Sequence, residues 1–183
     1  MESSTSSGAS GDEVNEMGVE TVEIVPLEKE HLPAIQELAS DPAIGATSFV
    51  PYPYPPDGAE VLFQRATEGR QDGTLYSFTV VQDGSCVGVM SLMGVSPDGH
   101  AELGYWIGKP YWGQGVATAA GRLILGFGFQ ELGLRRVTAG CLQWNIASLR
   151  VLEKLGFHLT HTGTIVFLGQ EEPVCYFELT PRQ

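Results

Sequence analysis

The chain has 183 residues, 43% of them hydrophobic, which is enough for one globular domain with its own core. No apolar run approaches the roughly 20 residues that span a bilayer, and the first residues resemble no secretory signal, so we expect a cytoplasmic protein without a membrane partner. The formal net charge of −12 at pH 7 argues against a nucleic-acid surface, because phosphate binding needs clustered Lys and Arg.

The acidic charge leaves two interpretations open. It suits a cationic partner, or it serves only solubility, since much of the excess precedes the first basic residue, Lys29. The side chains that bind soft metals show no ligand spacing: Cys86, Cys141 and Cys175 are far apart in apolar contexts. We expect free buried thiols in a reducing compartment and no metal site.

The chain begins with a Ser-, Gly- and acid-rich segment, residues 1–18, which has too little apolar surface to fold and is expected to be disordered. A single domain is predicted over residues 19–183. It opens with a strand in "ETVEIVPL" and a helix in "EKEHLPAIQELASD". The proline-rich "FVPYPYPPDG" is excluded from regular helix, and Asp57 is positioned to cap a second helix that runs to about Arg70.

Three short apolar runs follow, "LYSFTVVQ", "SCVGVMSLMGV" and "HAELGYWIG", separated by turn sequences, and they predict an antiparallel meander. A glycine loop then opens the helix "VATAAGRLILGFGFQEL", which ends at Gly133. A strand in "RRVTAGCL", a helix that begins at Asn145 and ends at Gly156, and two last strands complete the chain. The order predicts an α/β protein with a mixed sheet and helices on both faces.

The glycine loop "YWGQGVAT", residues 111–118, lies between a strand and a helix. Glycines there can expose backbone N–H groups at a helix start, where they hold an anion. A dinucleotide fingerprint would need a third small residue where Thr118 stands and an acid near Arg135 and Arg136. Neither is present, and the loop follows a meander, so we reject a nicotinamide or flavin site.

Two stretches, "AELGYWIGKPYWGQGVATAA" and "WNIASLRVLEKLGF", together resemble the GNAT superfamily of acetyl-CoA-dependent N-acetyltransferases, and within it the RimJ/RimL-type branch. The resemblance covers the element order of residues 20–180. It implies a GNAT fold: a mixed, mostly antiparallel sheet of about seven strands, with helices on both faces and a splayed pair of parallel central strands. It also implies transfer of an acetyl group to a primary amine.

The resemblance makes the pyrophosphate of coenzyme A the anion of the loop. The implied loop contacts are Trp112, Gly113, Gln114, Gly115, Val116, Ala117 and Thr118, where Trp112 replaces the usual Gln or Arg of the superfamily pattern. Further along, Asn145 is expected beside the pantetheine arm and Arg150 near a phosphate. The pantetheine amides are expected to pair with the backbone of Tyr105, Trp106 and Ile107, as an added strand would.

The transfer needs a base for the acceptor ammonium and a group that stabilises the departing thiolate. Glu102 is the carboxylate on the strand that leads to the thioester and is the candidate base, ahead of Asp98 and His100. Many GNAT enzymes place a tyrosine where this chain has Leu152, so the resemblance assigns the thiolate to Ser148. A serine that only bonds its own helix backbone is the alternative reading of Ser148.

The acceptor pocket is expected in the variable first part of the domain, with Phe49, Tyr52 and Tyr54 as its wall, unless these rings pack on the second helix. The acceptor itself stays open between a protein N-terminus, with Ser or Ala first, and a small amine. A module that binds acyl-CoA without catalysis also stays open. The chain is expected to be a monomer or a homodimer.

Overall fold

The computed structural model describes residues 21–181. Its strands are β1 Val22–Pro26, β2 Leu75–Gln82, β3 Ser85–Met93, β4 His100–Ile107, β5 Arg136–Leu142, β6 His158–Phe167 and β7 Gln170–Leu179. Its α-helices are α1 Leu32–Ala39, α2 Pro42–Thr47, α3 Gly58–Asp72, α4 Val116–Gln130 and α5 Ile146–Lys154, with short 3₁₀ turns at Lys29–His31 and Lys109–Tyr111. The predicted tail, residues 1–18, lies outside the described residues.

The seven strands form one sheet in the order β1-β2-β3-β4-β5-β7-β6. Every neighbouring pair is antiparallel except β4 and β5, which run parallel at the centre. This mixed sheet confirms the predicted fold class. The parallel pair is joined by a crossover that contains α4, as parallel strands require.

The two central strands pair over only three positions, which end at Glu102 opposite Thr138. Beyond that point the register of β4 with β5 stops, while β4 continues to Ile107 and β5 to Leu142. The strands therefore part at Glu102, and the predicted splay lies at the centre of the sheet. We call this opening the fork.

Helices cover the sheet on both faces. On one face α4 and α5 pack against the central strands and form the larger hydrophobic cluster of the core. Ile124, Val137 and Leu152 lie fully or almost fully buried in this cluster. On the other face a smaller cluster joins Ile35 of α1 and Ala59 of α3 to the strands. The meander strands β2 and β3 are therefore nearly continuous buried runs, as strands covered on both faces should be.

The predicted strands and long helices are confirmed to within a few residues at their ends, but two expectations near the N-terminal half were wrong. A short helix, α2, precedes the proline-rich segment, and its start is fixed by Asp41, whose Oδ1 accepts the Ala43 N–H at 2.8 Å. Asp57 does stand at the N-cap of α3, but its side chain makes no capping hydrogen bond.

The three cysteines are free thiols, as predicted, although Cys86 is only half-buried. Residues 21–181 contain no cluster of three or more His, Cys, Asp or Glu side chains that could hold a metal ion. Over the same residues, every helix is too short or too polar to cross a lipid bilayer.

Candidate functional site

A cavity of about 400 Å³ opens at the fork. Its lining comes from α2, the end of β4, the glycine loop, the start of α4 and one side of α5: Ile44, Thr47, Ser48, Tyr105, Trp106, Ile107, Tyr111, Trp112, Gly113, Gly115, Val116, Ala117, Thr118, Asn145, Ala147, Ser148, Arg150, Val151 and Lys154. Most of the predicted cofactor residues are thus brought to one place. Gln114 is the exception, because it lies outside the lining.

The glycine loop has the conformation that its sequence demands. Gly113 and Gly115 have φ values of +75° and +79°, in the left-handed region that side chains disfavour. A Cβ atom at either position would meet nothing within 4 Å, so the loop presents open space. Gln114 supports the loop from outside, since its Nε2 donates to the Pro110 carbonyl at 3.0 Å.

The start of α4 offers backbone donors to the cavity. Gly115 is the N-cap residue and provides no side-chain cap, so the first N–H groups of the helix need another acceptor. Val116, Ala117 and Thr118 all line the cavity. These donors and the positive end of the dipole of a 15-residue helix together form a binding position for an anion.

Charge at the cavity agrees with an anionic ligand. The chain carries a net charge of −12 and only ten Lys and Arg residues, yet two of these, Arg150 and Lys154, line the cavity. None of the described lining residues is Asp or Glu. Lys154 is exposed at the end of α5, and it also lines this opening.

The end of β4 presents backbone groups to the fork. Gly108 N–H donates to the Val87 carbonyl at 2.8 Å, and hydrogen-bonded pairs alternate along an antiparallel ladder. Trp106 therefore bonds back to β3, whereas Tyr105 and Ile107 turn their N–H and C=O groups toward β5, past the end of its pairing. The backbone that can receive an added strand is thus that of Tyr105 and Ile107.

Trp112 connects the glycine loop to the end of β4. Its indole Nε1–H donates to the Ile107 carbonyl at 2.6 Å, which ties the glycine loop to the end of β4. The ring is still 43% exposed and lines the cavity. Trp112 therefore shapes the opening and also occupies one acceptor position of Ile107.

Asn145 joins the two sides of the cavity. Its Oδ1 accepts the Ser148 N–H at 3.1 Å and caps α5, and its Nδ2 donates to the Thr47 carbonyl at 3.0 Å. Both ends of the amide are therefore used within the protein. The residue places α2 against α5, and through α2 it brings Ile44, buried in the core, to the cavity.

Two hydroxyl groups meet inside the cavity. Tyr105 Oη lies 2.8 Å from Ser148 Oγ, so the serine hydroxyl is bonded across to β4. Burial raises the pKa of Tyr105 to about 12, with the Ser148 bond lowering it and Cys141 raising it. Leu152, where the resemblance led us to look for a tyrosine, is 1% exposed in the core and offers no polar group.

Glu102 lies apart from the cavity lining. It is exposed, on the face of β4 opposite Tyr105, at the last position paired with β5. On the same face His100 Nε2 is 3.0 Å from Thr138 Oγ1. Arg136 and Glu178 form an ion pair at 3.5 Å further along this side. The polar side chains at the fork therefore lie on the sheet face that carries α1 and α3, at a part that these helices leave accessible. We call this part the open face.

The aromatic residues predicted as an acceptor wall do not line the cavity. Phe49 is 61% exposed and meets Phe167 edge-on, with 5.8 Å between ring centroids. Tyr52 is half-exposed beside Gly45, and Tyr54 packs over Gly58. The part of the first half that does line the cavity is α2, which sequence reasoning missed, although Asp41 followed by Pro42 is a recognisable helix start.

Comparison with known proteins gives the family. The family model for the acetyltransferase (GNAT) domain matches residues 21–158. The ribosomal N-acetyltransferase homologue YdaF of Bacillus subtilis is 39% identical over 90 residues, which cover 49% of this chain and 46% of that protein. The FsC-acetyl coenzyme A-N(2)-transacetylase of Aspergillus fumigatus is 30% identical over 155 residues, 78% of this chain and 64% of that protein. The chain is thus matched over less than two thirds of either relative.

A solved structure agrees in fold. A RimL ribosomal L7/L12 alpha-N-protein acetyltransferase in complex with coenzyme A superposes with a TM-score of 0.78 and 21% identity, over 87% of this chain and 94% of the other. The resemblance that the two sequence stretches indicated is confirmed. The chain belongs to the GNAT family of acetyl-CoA-dependent N-acetyltransferases.

Proposed function

We propose that this protein transfers the acetyl group of acetyl-CoA to a primary amine, and that the preferred acceptor is a protein N-terminus that begins with Ser or Ala. One observation carries the transfer: the loop donors, the two cations and the fork all face a single cavity. A phosphate-rich donor fits the loop and α5, and its thioester end reaches the parted strands.

In the proposed mechanism the pyrophosphate contacts the backbone from Gly113 to Thr118, and the pantetheine arm pairs with the backbone of Tyr105 and Ile107. Arg150 and Lys154 lie near the phosphates. The carbonyl oxygen of the thioester gathers negative charge as the amine attacks, and an N–H group of β4 at the fork stabilises it. Ser148 then stabilises the thiolate that leaves.

Glu102 serves as the base from the open face of the sheet. Its position at the last paired residue of the fork supports this role, and its exposure gives the acceptor access. Four residues of strand, about 13 Å, separate it from Trp106 at the cavity. In this proposal the proton of the acceptor ammonium passes to Glu102 along a chain of water molecules, because one bridging water cannot cover that distance.

A polypeptide acceptor is supported by exposed apolar residues around the fork. We call these the apolar rim: Phe49, Tyr52, Trp144, Ile146, Val166 and Leu168, which are 45% to 74% exposed. The rim comes from three segments that contact each other, through the Asn145–Thr47 hydrogen bond and the Phe49–Phe167 ring pair. Clustered exposed apolar side chains are typical of a surface that meets another macromolecule.

Two relatives favour the same acceptor class, since YdaF is a ribosomal N-acetyltransferase homologue and RimL is a protein alpha-N-acetyltransferase. A small amine is the second candidate, because the chain is strongly acidic and the Aspergillus relative is named for a different acceptor, FsC. Simple binding of acyl-CoA without transfer is the third.

An amine panel tests the proposal. Transfer releases free coenzyme A, so a thiol-detecting dye follows turnover with any acceptor. The panel holds peptides beginning with Ser, Ala, Thr or Met, polyamines, free amino acids and aminoglycosides. We expect N-terminal Ser or Ala peptides to release thiol well above the hydrolysis background, with acetylated peptide found by mass spectrometry.

Other outcomes decide between the alternatives. Faster release with a polyamine than with any peptide would replace the peptide acceptor by a small amine. Tight acetyl-CoA binding in calorimetry, with no acceleration by any amine and no acetylated product, would make the protein a binding module.

A further inference from the structure

The hydroxyl of Ser148 bonds differently from those of Ser40 and Ser48, the C-cap residues of α1 and α2. Ser40 and Ser48 donate their Oγ–H to the carbonyl four residues earlier, at 2.6 and 2.7 Å, which is the common local bond of a helical serine. Ser148 instead meets Tyr105 Oη at 2.8 Å, across the gap between α5 and β4. Its hydroxyl is therefore positioned by another element of the fold.

The backbone around Ser148 is fixed as well. The Ser148 N–H donates to Asn145 Oδ1, so the first turn of α5 cannot easily shift. Tyr105 lies on β4 between the buried residues Leu103 and Ile107, on the face that packs against α4 and α5. Both residues line the cavity, and both belong to regular elements of the fold.

Each of the two hydroxyl groups carries one hydrogen, so the direction of their bond decides what faces the cavity. If the phenol donates to Ser148 Oγ, the serine hydrogen is available to a third group. The Cys141 thiol also lies within reach of this hydroxyl, but a neutral sulfur is a weaker acceptor than a thiolate. Burial raises the pKa of Tyr105 to about 12, and the phenol therefore keeps its hydrogen at ordinary pH. A neutral phenol is also a better donor than an aliphatic hydroxyl.

We infer that Tyr105 is a positioning residue for acyl transfer: its phenol donates to Ser148 Oγ and thereby directs the serine hydrogen toward the sulfur that leaves acetyl-CoA. This inference rests on the proposed function. The amine nitrogen forms the new C–N bond, the C–S bond breaks, and its electron pair goes to sulfur. Ser148 O–H hydrogen-bonds that thiolate, while the proton of the amine goes to Glu102 or to water. Tyr105 itself loses no proton.

A double-mutant cycle tests the inference. Tyr105→Phe removes the hydroxyl and keeps the ring, Ser148→Ala removes the acceptor of its bond, and the third variant carries both. We expect Tyr105→Phe to lower kcat roughly tenfold, Ser148→Ala to lower it somewhat more, and the double variant to match Ser148→Ala alone, since a group that acts only through Ser148 adds nothing once the serine is gone.

The same cycle separates positioning from a structural effect. The KM for acetyl-CoA is expected to stay within about twofold of wild type, because the bond matters in the transition state. Tyr76→Phe is the matched control, because the Tyr76 ring packs on Phe127 away from the cavity, with 5.6 Å between ring centroids. This variant also loses one phenol hydroxyl, and its kcat is expected to stay unchanged. Melting curves show that each variant is folded.

A second measurement needs no acceptor. Ultraviolet absorbance of the thiolate gives the pKa of coenzyme A bound to each variant. A hydrogen bond from Ser148 lowers that pKa, so Tyr105→Phe and Ser148→Ala are each expected to raise it, and the double variant to raise it no further. This measurement stays decisive even if no amine in the panel is a substrate.

Three results would overturn the inference while leaving the proposed function intact. A kcat equal to that of the wild type in Tyr105→Phe would show that the phenol hydroxyl does not contribute to the rate. Effects that multiply in the double variant would show that Tyr105 does not act through Ser148. Equal losses of kcat and acetyl-CoA affinity would make the pair structural. In contrast, absence of turnover by the wild type with every amine contradicts the proposed function alone.

Discussion

The two sides of the fork, which the proposed function assigns to the donor and to the acceptor, use different chemical groups. On the donor side the chain offers backbone: the open glycines, the uncapped N–H groups of α4 and the strand end at Tyr105 and Ile107. On the acceptor side it offers side chains, Glu102 on the open face and the apolar rim beyond it. Backbone donors recognise a phosphate of any ligand of the right shape, whereas side chains select one acceptor.

The coverage of the sheet follows the same division. Strands β2 and β3 are buried along most of their length, but β6 is exposed at most of its positions. Helices α1 and α3 cover one face of the sheet over the meander strands. The half of the sheet beyond the fork is left accessible on that face. Under the proposed function the covered half supports the donor site, and the accessible half leaves room for a polypeptide acceptor.

The largest effect is expected on the donor side, from Gly115→Glu. The new side chain would have to adopt φ near +79° and would place a carboxylate where the pyrophosphate binds. Loss of two charge-assisted hydrogen bonds predicts that acetyl-CoA affinity in calorimetry falls by roughly a thousandfold. Peptide-acceptor contacts, which lie on the other side, should not compensate.

Gly133→Glu is the matched control for this change. Gly133 also has a left-handed φ, +64°, and open space around it, but it follows the far end of α4. It therefore carries the same added charge and similar backbone strain away from the cavity. Unchanged acetyl-CoA binding in Gly115→Glu, or equal loss in both variants, would contradict the loop assignment.

The next effect belongs to the acceptor side. Glu102→Gln removes the proposed base without changing shape, so kcat is expected to fall by roughly a hundredfold while acetyl-CoA affinity is kept. Because the amine must lose a proton, the wild-type rate should rise with pH, and the variant should gain most from alkaline conditions. Steady-state kinetics across pH, with binding measured separately, tests both statements.

Glu23→Gln serves as the control, since Glu23 is an exposed strand glutamate on β1, at the other edge of the sheet. A Glu102→Gln variant that loses acetyl-CoA affinity as much as rate would make Glu102 a structural residue of the fork. A wild-type rate for Glu102→Gln would exclude it as the base.

A smaller effect distinguishes a peptide acceptor from a small amine. Phe49→Ala removes an exposed ring of the apolar rim, so the KM for an N-terminal Ser or Ala peptide is expected to rise about threefold to tenfold, while the KM for acetyl-CoA stays unchanged. Leu123→Ala, an exposed apolar residue on the outer side of α4, should change neither. If Phe49→Ala leaves every peptide KM unaltered, the rim does not contact the acceptor.

The donor side could be predicted from the sequence because its determinants are local. Gly113 and Gly115 must lie at positive φ, and such positions are visible as a short motif between a strand and a helix. Asn145 likewise marks the start of α5. The three short apolar runs separated by turn sequences predicted the meander and hence the position of β4 beside the loop.

The rest of the cavity could not be predicted in the same way, because it depends on contacts between distant segments. The bond from Asn145 to Thr47 spans 98 residues, and nothing local indicates that α2 lies against α5. The Tyr105–Ser148 pair joins two motifs that were each recognised alone. Strand alternation placed Tyr105 with Leu103, but which face α5 covers is a property of the whole fold.

The smallest effect is expected on the melting temperature at alkaline pH. It tests how deeply the Tyr105 hydroxyl is buried between β4 and α5. Its pKa is raised from 10.0 in solution to about 12 in the folded protein, chiefly by burial. A raised pKa means that the stabilisation is complete below pH 10.0 and is lost as pH rises toward about 12, because the unfolded chain releases the proton first.

Near pH 11 the wild type should therefore lose up to about 2–4 °C more in Tm, relative to neutral pH, than Tyr105→Phe does. The comparison between the two proteins cancels the losses from Tyr54 and Cys86, whose pKa values burial also raises. Parallel pH curves of Tm for wild type and Tyr105→Phe would mean that the phenol is more accessible to water than the packing of β4 against α5 implies.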